Sequence, residues 1–122
     1  MPVIEVTVQC TLDSKPLDGF PFTRRVEVSE SQTINVQKVV DGAYAALPTV
    51  DYIPSIGVLI LRTDSGPFGV RLNAQSDAGI SLNAGGLLIV VDGAIASGAA
   101  TNVKVQNTSG ATAGVRGLVA GT

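Results

Sequence analysis

Histidine is absent from this sequence, and cysteine occurs once, at Cys10. Without histidine the chain lacks the usual general base, the Ser–His and Cys–His nucleophile arrangements and the commonest metal ligand. One cysteine cannot form a disulfide or a cysteine-based metal site within the chain. Alternation along the first segment predicts that Cys10 points inwards as a small buried hydrophobe. We therefore expect a protein that is not an enzyme.

Charged residues are also scarce, at 15% of the chain against a usual share of about 25%. The net charge is −2 and the basic residues are scattered, so the concentrated basic patch of a nucleic-acid-binding protein is missing. The longest apolar run, LLIVV at 87–91, is far shorter than the ~20 residues of a membrane span. The start, MPVIEVTVQ, lacks the features of a signal peptide. We expect synthesis in the cytoplasm, and neither nucleic acid nor membrane as a partner.

Aromatic residues are few, with no tryptophan, two tyrosines and three phenylalanines. Alternation directs Phe20, Phe22 and Phe68 into the predicted core, which leaves Tyr44 and Tyr52 as the rings free for a sugar- or peptide-binding site. The acidic residues lie mainly in turns, where aspartate bonds to the local backbone, and none follows the spacing of a calcium loop. The sequence therefore predicts no catalytic, cofactor-binding or metal-binding residues.

Short apolar segments separated by turn residues, in contrast, are abundant. VIEVTVQCTL at 3–12 alternates strictly, which predicts a strand with one buried face, and DSKPLDG at 13–19 predicts the turn of a hairpin. The return strand is FPFTRRVEV at 20–28, in which Arg24 falls on the apolar side. Further strands are predicted at IGVLILRT (56–63), buried on both faces and central, and at FGVRLNA (68–74), NVKVQNT (102–108) and GVRGLVAG (114–121).

Two segments are ambiguous between strand and helix. LLIVV at 87–91 is short, mostly β-branched and bracketed by glycines, which favours a buried strand. INVQKVVDGAYAAL at 34–47 has helical spacing, but Gly42 interrupts it and Pro48 closes it, so we predict a strand at 33–40 and at most a short helical turn at 42–47. With about seven to nine short strands, the chain is predicted to be all-β, a single antiparallel β-sandwich or jelly-roll-like domain over 1–122.

The second half of the chain is especially poor in charge. Sheet edges in contact with solvent are usually guarded by charged residues. Small uncharged residues fill GAIASGAATN (93–102) and NTSGATAG (107–114), and such residues let two surfaces approach closely. This half is therefore predicted to contact other protein, the alternative being ordinary surface loops. The ionisable residues of 74–122 are Asp77, Asp92, Lys104 and Arg116.

Three stretches follow one another in the second half: IGVLILRTDSGPFGVRLNA, ISLNAGGLLIVVDGAI and NVKVQNTSGATAGVRGLVAGT. A strand like GVLILRT precedes one like FGVRLN, an L-x-A/P-G turn leads into a buried strand, and a final pair of strands closes the chain. Over about residues 55–122 this pattern resembles the small all-β virion proteins of tailed bacteriophages. The first half matches mainly through its alternating N-terminal strand, and Arg24 and Arg25 correspond to no feature of that family.

The resemblance implies a structural virion protein, a capsid decoration or cement protein that binds the capsid lattice and stabilises it. It implies a location on the capsid surface, with the major capsid protein and other virion proteins as partners and a homo-oligomer, trimer or dimer, as the assembled unit. Neutral surfaces and exposed edges would bridge neighbouring capsid subunits. The alternatives are a phage tail, fibre or baseplate component, and a small sugar- or peptide-binding β-sandwich module.

Overall fold

The computed structural model describes residues 2–38, 45–46, 53, 55–65, 67–72, 79–95, 103–108 and 110–122. In these ranges the chain forms strands and turns, without a helix, and every strand pair is antiparallel. The predicted all-β class is confirmed. The strands are β1 (Val3–Val8), β2 (Thr11–Leu12), β3 (Lys15–Pro16), β4 (Phe22–Glu27), β5 (Glu30–Lys38), β6 (Ala45–Ala46), β7 (Ile56–Thr63), β8 (Phe68–Leu72), β9 (Ile80–Leu82), β10 (Leu87–Ile95), β11 (Val103–Asn107) and β12 (Ala113–Gly121).

The strand count exceeds the predicted seven to nine because several strands are very short. The predicted first strand divides into β1 and β2, and the predicted turn that follows contains β3. Strands β6 and β9 have two and three residues, too few for a period-2 pattern to be visible in the sequence.

The central sheet has the strand order β10-β7-β12-β5. β7 lies between β10 and β12, so the prediction of a central strand at 56–63 is confirmed, and Val58, Leu59 and Leu61 are completely buried. Consecutive apolar residues suit a strand that is covered on both faces. LLIVV is the start of β10 and is a strand, as predicted, but it lies at the edge of the sheet and residues 88–91 are only half-buried.

A second sheet, with the order β6-β11-β8-β9, covers one face of the central sheet. β8 and β11 direct alternate side chains towards it, as the sequence pattern predicts. The two sheets enclose the larger core in a sandwich-like arrangement, whereas a jelly-roll connectivity stays a prediction. The buried residues of this core are Ile34, Ile53, Ile56, Leu59, Leu61, Phe68, Val70, Leu82, Val103, Val105, Ala113, Val115 and Val119.

The hairpin of β1 and β4 covers the opposite face of the central sheet. Val6, Val28, Val58 and Ala120 form a smaller core there, with further apolar side chains of the hairpin and of β7 and β10 packed against it. The central sheet is therefore apolar on both faces and lies between two layers.

At Gly57 the alternation of β7 between the two cores shifts by one residue. The pairing of β7 with β12 passes from Val58–Ala120 to Ile56–Gly121 and skips Gly57, which marks a β-bulge. Because the bulge changes the alternation, Ile56 belongs to the larger core and Val58 to the smaller one. A Cβ atom on Gly57 would lie 3.1 Å from Cγ1 of Val26, so the hairpin packs closely against β7 at this point.

The predicted burial of four residues in the first hairpin is wrong. Leu12 is 65% exposed and Phe22 50%, and Cys10 and Phe20 are half-buried and belong to neither core. Alternation continues past the end of the β1–β4 ladder at Val8 and Phe22, but the underlying sheet does not provide a core for these residues. The burial of Phe68 is confirmed.

The short helical turn predicted at 42–47 is wrong at Ala45 and Ala46, which form β6 and pair with Val105 and Lys104 of β11. Alanine has the highest helix propensity, but propensity is a weak determinant and the tertiary pairing with β11 overrides it here. The rest of that segment, Tyr44 included, lies outside the described residues, as do Tyr52 and residues 96–102 of the predicted small-residue surface.

Candidate protein-contact surface

The first hairpin ends in a segment that carries exposed apolar side chains. We call residues 9–22 the hairpin tip. Leu12 is 65% exposed, Leu17 40% and Phe22 50%. Every residue of the tip is exposed except Cys10 and Phe20, which are half-buried, and none contributes to either core. The tip thus presents apolar surface that the described part of the fold does not cover.

The tip has a defined backbone despite this exposure. Asp13 and Ser14 have φ angles of 52° and 65°, and the flanking residues Leu12 and Lys15 pair with each other. Positive φ at both central residues is typical of a type I′ turn, whose twist suits a two-residue hairpin. Beyond the turn, the Leu17 N–H donates to the carbonyl of Cys10 at 3.0 Å. Local sequence therefore holds the apolar residues in place.

A hairpin of this kind is suited to docking. Two short strands without a third have marginal stability in water, and exposed apolar surface costs free energy until something covers it. The root of the hairpin is fixed, because Ile4, Val6, Val8 and Val26 pack against the central sheet. The tip is thus attached to a well-packed layer, while its own apolar side chains stay exposed.

The outer face of the hairpin root is polar. Nε of Arg25 lies 2.7 Å from Oε2 of Glu5, and the hydroxyls of Thr7 and Thr23 are 2.9 Å apart. Both pairs are directly opposite in the β1–β4 ladder. The ion pair is largely exposed, so it contributes little to stability. Arg25, for which no role was apparent from the sequence, thus belongs to a cross-strand pair.

An open depression of about 540 Å³ lies beside this ion pair and is lined by Val3, Glu5, Arg25 and Glu27. It offers one guanidinium and two carboxylates, with no aromatic ring among the lining residues that are described. Arg24 lies on the opposite side of the hairpin, across the ladder from Val6, and is exposed.

Leu12 and Leu17 are surface residues that the sequence pattern does not identify. Alternation along 3–12 assigns Leu12 to the buried face, because a local pattern does not reveal where the supporting sheet ends. The exposure of Leu17 could have been predicted, because this residue lies between Pro16 and Asp18 in a segment predicted to be a turn. An isolated leucine in such a turn has no alternating neighbours with which to share a core.

Asn107 anchors a loop within the predicted contact segment 107–114. Its side chain is completely buried, and Nδ2 donates to the carbonyl of Ala111 at 2.7 Å. The triplet Asn107-Thr108-Ser109 matches a glycosylation sequon, but in the fold the Asn107 side chain is buried and its nitrogen donates to the Ala111 carbonyl. Asn107 therefore has a structural role at this position.

The described ranges contain neither a metal-ligand cluster nor a membrane-spanning helix. Groups of three or more His, Cys, Asp or Glu side chains placed to hold a metal ion do not occur among those residues. Nor does that part of the chain contain a helix long and apolar enough to cross a membrane.

Comparison of the chain with protein-family models, with curated proteins and with solved structures gave no match. The inference of function therefore depends on the surface of the molecule and on its sequence pattern.

Proposed function

We propose that the chain is a structural protein of a virus particle, a decoration or cement protein that binds the capsid lattice of a tailed bacteriophage. The main support is the hairpin tip, where Leu12, Leu17 and Phe22 are exposed outside both cores. The resemblance of residues 55–122 to small virion proteins supports the same function.

The tip would bind by covering these apolar side chains against a capsid subunit. The only charged residues of the tip are Asp13, Lys15 and Asp18, so long-range attraction contributes little and shape and apolar contact decide the fit. A contact made through three apolar side chains buries a small area compared with the ~1,200–2,000 Å² of a typical stable interface. A capsid repeats its binding sites many times, and linked copies gain avidity of about 10²–10⁴ over a single contact. An oligomer of this chain would therefore stay bound to the capsid under conditions in which a monomer dissociates.

The composition of purified particles tests the proposal directly. Particles of the phage whose genome encodes the chain should contain it in stoichiometric amounts, as measured by quantitative mass spectrometry. A gold-labelled antibody should decorate heads. Labelling of tails would instead select the tail, fibre or baseplate alternative, and absence from the particle would refute a virion role.

Variants of the tip test the proposed contact itself. Leu12→Ser combined with Leu17→Ser should weaken binding of the purified chain to particles that lack it by about tenfold or more, because apolar area is lost from the contact. Ile80→Ser is the matched control, since Ile80 is 43% exposed but lies on β9, away from the tip. Equal loss in both variants would argue against the tip as the contact.

A further inference from the structure

The two edges of the central sheet differ in their chemistry. β5 at one edge reads ESQTINVQK, largely polar, with Glu30 and Lys38 at its ends. Charges of this kind discourage an edge strand from pairing with another chain. β10 at the other edge begins with five consecutive apolar residues, 87–91, and pairs with β7 alone among the described strands. Over these residues β10 is an edge without a charged guard.

The burial of β10 is incomplete on both faces. Leu88 and Val90 pack against the larger core, and Ile89 and Val91 against the smaller one, yet all four are only half-buried. Three of their four register partners on β7 are completely buried. Leu87, at the start of the strand, is 56% exposed. Two apolar layers therefore end at an edge that no other described strand covers, and a single added strand would cover both.

We propose that a second copy of this chain supplies that strand, through antiparallel pairing of β10 with β10 of the second copy about a twofold axis at Ile89. In this register Ile89 faces its own counterpart, and positions 87 and 88 face positions 91 and 90 of the other copy. Every pair is apolar, so both cores continue across the axis. The two four-stranded central sheets become one sheet of eight strands, and this assembly does not depend on a virion function.

The charge distribution favours a second copy as the occupant. In this register every facing pair lies within residues 87–91, which carry no charge, so no like charges meet in the pairing. With a net charge of only −2, two whole chains also repel each other weakly. An antiparallel strand with an uncharged, apolar centre is complementary to itself.

Sedimentation of the full chain over a range of concentrations tests the assembly. The unaltered protein should form a dimer. Leu87→Lys should weaken dimerisation by about tenfold or more, because lysine at a sheet edge opposes strand addition. Ile80→Lys is the matched control, with comparable exposure on β9 at the edge of the second sheet, and it should leave the dimer unchanged.

Disulfide cross-linking tests the register and does not require a disruptive charge. With Cys10 replaced by serine, Ile89→Cys should give a covalent dimer on mild oxidation, because residues facing each other across an antiparallel pair have Cβ atoms about 4.5–5.5 Å apart. Ile80→Cys in the same background should cross-link far more slowly.

Four results would each overturn the proposal. A monomer at all concentrations shows that the edge is not used by a second copy, and a trimer is incompatible with twofold pairing of one edge. A dimer that Ile80→Lys dissociates, or that fails to cross-link at position 89, uses another surface. If Leu87→Lys proves unfolded by circular dichroism, the cross-linking result decides. Particle composition plays no part in these outcomes, so they are separable from the test of the proposed function.

Discussion

At the scale of single residues, the buried polar side chains show how the loops are attached to the cores. Among the described residues these are Thr63 and Asn107, each in or beside a strand and each bonded to a loop. The Thr63 hydroxyl donates to the carbonyl of Asn83 at 2.6 Å and accepts from the N–H of Gly86 at 3.1 Å. A buried polar group without such partners costs about 1–3 kcal/mol. These two residues therefore maintain the turns that follow β9 and β11.

Replacing Asn107 by aspartate should destabilise the protein in a pH-dependent way. At neutral pH the Asn107→Asp variant replaces the side-chain amide, which donates to the Ala111 carbonyl, with a buried carboxylate that only accepts. The free energy of unfolding should therefore fall by about 3 kcal/mol or more. Burial favours the protonated form in the folded state, so the introduced carboxyl has a higher pKa folded than unfolded. The loss is therefore small below the unfolded value of about 4 and grows as the pH rises above it.

Urea unfolding at pH 3 and pH 7 measures this effect. Asn83→Asp is the control, because residue 83 is exposed and the same chemical change there should alter stability by less than about 0.5 kcal/mol. A pH-independent loss for Asn107→Asp would mean that the side-chain bond to Ala111 is not the source of the effect.

Two glycines of the central sheet should differ sharply in their tolerance of alanine. A Cβ on Gly117 would lie 1.7 Å from the carbonyl oxygen of Ile60, whereas one on Gly57 would lie 3.1 Å from a methyl group of Val26. Backbone must move in the first case, and only a side chain in the second. Gly117→Ala should therefore cost about 3 kcal/mol or more, and Gly57→Ala about 1 kcal/mol. Thermal unfolding of the two variants measures which one loses more stability. Equal losses would contradict the close approach of β12 and β7 at Ile60.

At the scale of elements, the first hairpin combines a packed root with an unpacked tip. Its alternation was visible in the sequence, and the predicted hairpin is confirmed, with β1 inside the strand predicted at 3–12 and β4 inside the return strand predicted at 20–28. The sequence did not reveal where packing ends, because Leu12 and Val8 have the same parity in one alternating segment. Only Val8 lies on the part of the hairpin that covers the central sheet.

Removing the tip should leave the fold intact. Val8 and Phe22 are register partners, so a two-residue Asn-Gly turn can replace residues 9–21 and close the β1–β4 ladder directly. None of the replaced residues is part of a core, and the melting temperature should change by only a few degrees. The same variant should lose binding to capsids. A large fall in melting temperature would show that the tip contributes to folding and is not a free docking element.

At the scale of the whole molecule, the hairpin, the central sheet and the second sheet are connected through two cores that share the strands β7 and β12. Val58 and Ala120 face the hairpin, while Leu59 and Val119 face the second sheet. Neighbouring residues on the same two strands thus couple the layers. Unfolding of one layer exposes a face of the central sheet, so we expect one cooperative transition.

Substitutions in the two outer layers should therefore shift the same transition. Val6→Ala in the hairpin and Val105→Ala in the second sheet each remove buried apolar volume and should lower the free energy of unfolding by about 2 kcal/mol. Val3→Ala, at a position that is 52% exposed in the same strand as Val6, should change it by less than about 0.5 kcal/mol. Calorimetry and circular dichroism should report coincident midpoints. A separate early transition in Val6→Ala would show that the hairpin unfolds on its own.

The sequence alone determined the all-β class, the positions of most strands and the central place of IGVLILRT, because alternation and turn residues act over a few neighbouring positions. Tertiary structure decided which strands lie at edges, where the hairpin extends beyond its core, and that LLIVV is half-exposed although it reads as fully buried. Burial depends on what packs against a strand, and for β10 and the first hairpin this is decided by strands far away in the chain. The same long-range pairing created β6 and β9, which have almost no pattern of their own.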